Sequence, residues 1–259
     1  MRKHPYATVF LFAVFGVVGA VLRYIHSKYY YDEAGLPITG PVSSALIAVS
    51  IAAAIAALVL AIVINLKFKS TDSFAGTFQS QKSAAPAAVQ VTGAVLLAAS
   101  AVLQNQYGTG VKKGTVVAVT VLGIIAALTM IYIAFSSYKG EESPALGYMC
   151  LLPSLYFCAL LIMMFAANAR NPIVISFSFE CTAIGAAALY ISALGGYALK
   201  KPQPFTTGLA GFIGITFSVI ALTGRTITLA GILRYAGMIC YLLPLQVSFL
   251  KNLMPKTKK

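Results

Sequence analysis

Long apolar runs separated by short polar segments recur along the chain from residue 9 to residue 250. Runs of about 17–25 apolar residues are the length that crosses a bilayer as a helix, the structure that satisfies its backbone internally. We predict eight spans: Val9–Leu22, Val42–Ile64, Val89–Leu103, Thr115–Phe135, Ala145–Ala167, Ile173–Leu199, Thr206–Leu222 and Ile227–Leu250. No connecting segment is long enough for a soluble domain, so we expect one all-α transmembrane helical bundle over residues 1–259.

The basic residues between the spans predict the orientation. Arg2 and Lys3 precede the first apolar run as in a signal peptide, but no small-x-small cleavage site follows, so we expect an uncleaved span. Cytoplasmic termini place twelve basic residues inside: Arg2, Lys3, Lys67, Lys69, Lys82, Lys139, Lys200, Lys201, Lys251, Lys256, Lys258 and Lys259. Seven lie outside: Arg23, Lys28, Lys112, Lys113, Arg170, Arg225 and Arg234. Lys and Arg concentrate on the cytoplasmic side of membrane proteins, so both termini are predicted to lie in the cytoplasm. We expect the protein to reside in the plasma membrane.

The two halves of the chain, residues 1–140 and 145–259, resemble each other. The matches pair Pro41 with Pro172, Lys69 with Lys200, Gly93 with Gly208 and Gly123 with Gly237. Because four spans per half is an even number, a true duplication would be a parallel 4+4 repeat, an arrangement that some transporters use. Alanine-rich helices also produce such matches by chance, which is the alternative interpretation.

Composition restricts the partners and the chemistry. Hydrophobic residues make up 59% of the chain and charged residues 10%. The net charge of +13 concentrates at span ends and in the C-terminal tail, which favours anionic lipids at the cytoplasmic face over nucleic acid. All four cysteines lie in apolar spans without metal-ligand spacing, and His4 and His26 are the only histidines, so we expect no metal site and no cofactor.

Two connecting segments allow alternative interpretations. The Asn65–Pro86 segment has a helix-start pattern at Ser70-Thr71-Asp72, followed by Phe74 and Phe78 four residues apart. It is either a short amphipathic helix on the cytoplasmic surface or a mobile linker. The tyrosine triplet Tyr29–Tyr31 is either part of the interfacial aromatic belt or a platform on which a ligand stacks.

Glu180 lies inside the sixth apolar run, and it is the only acidic residue outside a connecting loop. An ionisable group within a membrane is costly unless it is paired. Arg234 lies seven residues from the outer end of the eighth span, as Glu180 does in the sixth, which is about 10 Å at helical rise. We therefore predict that Glu180 and Arg234 pair, either as a structural clamp or in direct contact with a ligand.

Further cations lie near the same outer ends. Arg23, Arg170 and Arg225, together with Arg234, would make an outer vestibule basic and suited to an anionic or zwitterionic ligand. Tyr24 and Tyr235 could line it. The alternative is that the three terminal arginines extend to the interface as anchors. The candidate ligand-binding residues are Glu180, Arg234, Arg23, Arg225, Arg170, Tyr24 and Tyr235.

Enzymatic chemistry is not indicated. The spans contain no paired carboxylates, no H-E-x-x-H and no phosphate-binding glycine loop, so no catalytic residue is predicted. We expect transport of a small anionic or zwitterionic solute. The alternatives are a non-transporting receptor or accessory subunit that binds a small molecule or partner helices, and a lipid-modifying enzyme or another function.

The segment Tyr31–Pro37, YDEAGLP, directly follows a first span that ends in arginine. In this feature the chain resembles uncharacterised eight-span membrane proteins of anaerobic Gram-positive bacteria. The resemblance implies an eight-span fold and no activity.

Overall fold

A computed structural model gives the fold of the chain. It describes residues 5–31, 37–38, 40–69, 71–79, 83–104, 112–168, 175–224 and 227–255. Within these ranges the helices are α1 Pro5–Tyr29, α2 Pro41–Lys67, α3 Phe74–Phe78, α4 Ala84–Gln104, α5 Lys113–Lys139, α6 Pro144–Met149, α7 Leu151–Asn168, α8 Ile175–Ala198, α9 Pro204–Ala221 and α10 Leu229–Asn252. Two short strands, β1 Phe68–Lys69 and β2 Met254–Pro255, pair antiparallel.

The eight predicted spans are confirmed as helices long and apolar enough to cross a membrane. The fifth span combines α6 and α7, which meet at Cys150. Pro153 explains the break, because proline has no backbone N–H to donate to the carbonyl four residues earlier. A second proline, Pro244, lies inside α10.

The first helix is longer than its apolar run. We predicted a span that ends at Leu22, whereas α1 continues to Tyr29 and carries Arg23 and His26 as buried residues. Hydropathy marks the stretch that prefers lipid, but Arg23 faces the protein interior, where a charged group has partners.

Six helices form a closed ring in which α10, α4, α5, α7, α8 and α9 each pack on the next, and α9 packs on α10. The other two spans, α1 and α2, pack on the outside of α9 and on each other. We call the end of the bundle that contains Tyr29, Gln104 and Leu229 the Glu180 end. The opposite end, which contains Pro5, Ala198 and Asn252, is the Phe78 end.

The long segment between α2 and α4 closes the Phe78 end. Ser73 caps α3 by accepting a hydrogen bond from the Gly76 backbone N–H at 3.1 Å. Phe74 and Phe78 are buried under α8 and α10. The segment therefore contains the predicted helix, but its aromatic face packs into the bundle and does not lie against lipid. Of the three lysines in this segment, Lys67, Lys69 and Lys82, the last lies outside the described residues.

The internal repeat stays a prediction, and the packing of the two halves differs. α8 packs extensively on α9, whereas the corresponding spans α2 and α4 share no comparable interface among the described residues. Pro172, one of the aligned positions, lies outside those residues.

Candidate functional site

Arg23 and Glu180 form an ion pair inside the Glu180 end. The Arg23 Nη2 atom lies 2.6 Å from Glu180 Oε1, and the two side chains are 6% and 12% exposed. Arg23 Nη1 donates a second hydrogen bond to the Ile220 carbonyl at 3.2 Å. The guanidinium also lies 5.0 Å from the centre of the Phe179 ring. The pair therefore joins α1, α8 and α9.

Small residues bring α1 close enough to form this pair. A Cβ at Gly16 would lie 2.9 Å from Val219 Cβ, and one at Gly19 would lie 2.7 Å from Ile220 Cδ1. Thr223 adds a hydrogen bond from its hydroxyl to the Ala20 carbonyl at 3.0 Å. Gly224 leaves room for the pair itself, since its Cβ would lie 3.0 Å from Glu180 Oε1.

The predicted pairing of Glu180 with Arg234 is wrong. Arg234 Nη2 donates to Gln104 Oε1 at 2.7 Å, and Arg234 Nη1 lies 3.9 Å from the Met164 sulfur. Equal depth does not place two side chains on facing surfaces. The packing of α10 on α4 turns Arg234 toward α4 and α7, whereas the packing of α1 on α9 places Arg23 beside α8.

One carboxylate atom and one guanidinium atom in this region stay unpaired. Glu180 Oε2 and Arg234 Nε are both buried without a hydrogen-bond partner among the described residues. The charges of Arg23 and Arg234 both attract the Glu180 carboxylate, and the attraction by Arg23 is the stronger. Tyr235 is buried beside Arg234, with its hydroxyl 4.0 Å from the same Met164 sulfur. We call Arg23, Glu180, Arg234, Tyr235 and Gln104 the charged cluster.

A cavity of about 460 Å³ lies between α5 and α7, and no residue of the charged cluster is part of its lining. Lys112 and Met163 are among its lining residues. Gln104 Nε2 lies 3.5 Å from the Met163 sulfur, and Gln104 Oε1 accepts from Arg234, so the side chains of Met163 and Gln104 lie between this cavity and Arg234. The cavity gives the cluster a neighbouring space of the size that a small solute needs.

The structure brings together four of the seven predicted ligand-binding residues: Arg23, Glu180, Arg234 and Tyr235. Arg23 and Glu180 are in direct contact, whereas Arg234 donates to Gln104. Tyr24 is 54% exposed on the outside of α1 and does not join the charged cluster. It follows Arg23 directly, and neighbouring residues on a helix point in different directions. Arg170 and Arg225 lie outside the described residues.

Sequence reasoning missed two members of this region. The third span is predicted to end at Leu103, whereas α4 includes Gln104 as its last residue, and that residue is buried. His26 lies beyond the predicted end of the first span, but it is buried in α1 three residues after Arg23. Its ring centroid lies 5.4 Å from that of Tyr31, and its Nε2 has no hydrogen-bond partner among the described residues. The three-residue spacing from Arg23 is the signal that places His26 on the same helix face.

A second polar layer lies deeper in the bundle. Tyr190 and Gln246 are fully buried, and the Tyr190 hydroxyl and both Gln246 amide atoms lack hydrogen-bond partners in the described part of the chain. Both side chains contact Gly211, where a Cβ would clash with them. Tyr190 is ten residues from Glu180 on α8, or about 15 Å along the helix.

Within the described residues, no group of three His, Cys, Asp or Glu side chains could hold a metal ion. The described residues contain eight helices long and apolar enough to cross a membrane, which is the architecture of an integral, multi-pass membrane protein. No family model, curated protein or solved structure shows detectable similarity to this chain.

Proposed function

We propose that the protein binds a small zwitterionic or anionic solute at the charged cluster and moves it across the plasma membrane, with the N- and C-termini in the cytoplasm. The observation that carries this proposal is the pair of buried, unpartnered atoms, Glu180 Oε2 and Arg234 Nε. A buried charged group without a full set of partners is costly, and a ligand with a matching charge would supply the missing partner.

The surroundings of these atoms support a small ligand. The cavity that reaches Met163 has Lys112 in its lining, and a cation there would attract a negatively charged group. The polar layer of Tyr190 and Gln246 supplies hydrogen-bonding groups deeper in the bundle, as a transport path requires.

Binding is tested first. The purified protein is screened by thermal shift against amino acids, betaines and short dicarboxylates, because a ligand that binds only the folded state raises the melting temperature with its concentration. We expect at least one such compound to stabilise the wild type and to lose this effect in Glu180→Gln or Arg234→Met. Glu141→Gln is the matched control, because it is the same substitution in an exposed ion pair, that of Glu141 with Lys139.

Transport is tested with the compound found. Proteoliposomes that contain the wild type should take up the labelled compound, and those with Glu180→Gln should not. A panel without any stabilising compound, or full uptake by Glu180→Gln, would contradict the assignment of the charged cluster as the binding site.

The closed Phe78 end favours a second candidate, a non-transporting receptor or accessory subunit. Ser137 Oγ donates to the Phe78 carbonyl at 2.7 Å, and Asn252 Nδ2 donates to the Thr77 carbonyl at 3.0 Å. The Phe78 ring packs against Tyr197 and Phe249. Saturable binding without uptake in the same proteoliposomes would select this candidate.

A further inference from the structure

A groove runs along the lipid-facing side of α10, between α1 and α4. It consists of two adjoining cavities of about 460 and 450 Å³ that share Tyr6, Leu243 and Val247. α1 and α4 are held apart here, since each packs on α10 and they share no substantial interface among the described residues. The groove lies at the Phe78 end, far from the charged cluster, so the inference does not depend on the proposed function.

The groove is polar at its end and apolar along its length. Lys251, Asn252 and Gln79 line the cavity nearest the helix ends. The second cavity continues along α1 past Phe10 to Ala13, and Phe10 is 69% exposed toward the lipid side. From Tyr6 to Ala13 this apolar wall extends about 10 Å at helical rise.

Lys251 holds the positive charge at a defined position. Its Nζ donates to the Tyr6 hydroxyl and lies 4.5 Å from the centre of the Tyr6 ring. No Asp or Glu lines either cavity in the described part of the chain. In the sequence, Arg2 and Lys3 precede α1, and three further lysines follow α10 within seven residues of Asn252.

We propose that this groove binds one anionic phospholipid. The phosphate lies at Lys251 and an acyl chain lies along Phe10, Ala13 and Val247. A cation without a neighbouring acid favours a headgroup with net negative charge, and the apolar wall matches a chain that enters the bilayer. A basic residue near the membrane surface contributes about 1 kcal/mol to the binding of anionic lipid, which corresponds to about a fivefold change in affinity.

The experiment measures lipids retained by the purified full-length protein in native mass spectrometry, with phosphatidylglycerol or phosphatidylcholine added to the detergent. We expect the wild type to retain one phosphatidylglycerol in preference to phosphatidylcholine. Lys251→Gln should weaken phosphatidylglycerol retention about fivefold and leave phosphatidylcholine unchanged. The control is Lys139→Gln, an exposed lysine at the same end of the bundle but outside the groove, which should retain the preference.

Two further variants test the proposal even if Lys251→Gln does not fold. Lys251→Arg keeps the charge and should retain the preference, and Val247→Trp fills the junction of the two cavities and should lower retention of both lipids. Equal retention of the two lipids by the wild type would overturn the proposal. An equal loss of phosphatidylglycerol retention in Lys139→Gln would also overturn it. So would displacement of phosphatidylglycerol by inorganic phosphate at the same concentration as the lipid, which would indicate a site for the free anion.

Discussion

Arg23 and Glu180 are 157 residues apart in the chain, and their side chains meet at 2.6 Å. Both charged groups are buried, so each depends on the other to compensate its charge. Removing one member of a buried pair leaves an uncompensated charge and costs about 3–5 kcal/mol. The guanidinium of Arg23 also keeps its hydrogen bond to the Ile220 carbonyl, so loss of Arg23 affects α9 as well as α8.

A double-mutant cycle distinguishes the two arginines as partners of Glu180. Arg23→Met and Glu180→Gln should show a coupling energy of about 0.5–3 kcal/mol in the free energy of unfolding in detergent, because the side chains are in contact. Arg234→Met and Glu180→Gln should show a smaller coupling energy than this, because Glu180 pairs directly with Arg23 whereas Arg234 donates to Gln104. A larger coupling with Arg234 than with Arg23 would restore the pairing that equal depth predicts.

At the scale of helices, close crossings determine which side chains meet. At the crossing of α4 and α10 the two backbones are in contact: a Cβ at Gly93 would lie 2.7 Å from the Gly237 carbonyl oxygen, and one at Gly237 would lie 2.8 Å from that of Gly93. In membranes, small residues at helix interfaces allow the backbones to approach closely, which strengthens the van der Waals packing that drives association. This crossing positions Gln104 and Arg234 on adjacent helices at the same end.

Gly93→Ala tests this crossing. The added methyl group meets backbone atoms that cannot yield without separating the helices, so we expect destabilisation by about 1–3 kcal/mol in the free energy of unfolding. Gly185→Ala is the matched control on α8, where a Cβ meets nothing within 4 Å. Alanine favours helix over glycine by up to about 1 kcal/mol, so the control should be neutral or stabilised. An equal loss at both positions would remove the special role of this crossing.

At the scale of the whole molecule, the bundle has two unlike ends. The Glu180 end holds the buried ion pair and Arg234, and the Phe78 end is closed by α3 and by the pairing of β1 with β2. The distribution of Lys and Arg predicts that the Phe78 end faces the cytoplasm. A solute from outside would then meet the charged cluster first.

Single cysteines test this orientation in a background with the four native cysteines replaced by alanine. Lys113→Cys, at the Glu180 end, should react with a membrane-impermeant thiol reagent in intact cells. Lys139→Cys, at the other end of α5, should react only after the cells are permeabilised. The reverse labelling pattern would contradict cytoplasmic termini and would place the charged cluster on the cytoplasmic side.

The amino-acid sequence alone was enough to predict the number of spans and their order. These properties follow from hydrophobic length along the chain, because transfer into lipid is a local free energy that each segment contributes independently. Hydropathy also identified Glu180 as the residue that needs a partner. Helix ends are less well predicted: α1 continues to Tyr29 beyond the predicted end at Leu22, and α4 begins at Ala84 before the predicted start at Val89. A buried arginine such as Arg23 lowers the hydropathy of a segment without ending its helix.

The partner of Glu180 is determined by the way the helices pack in the tertiary structure. That choice depends on the rotation of each helix and on its neighbours, which are set by contacts between distant residues such as Gly16 with Val219 and Gly93 with Gly237. A periodicity along one helix contains no information about the helix that will pack against it. The pairing with Arg23, the burial of Gln104 and the closure by Phe78 therefore emerge only when all eight spans are assembled.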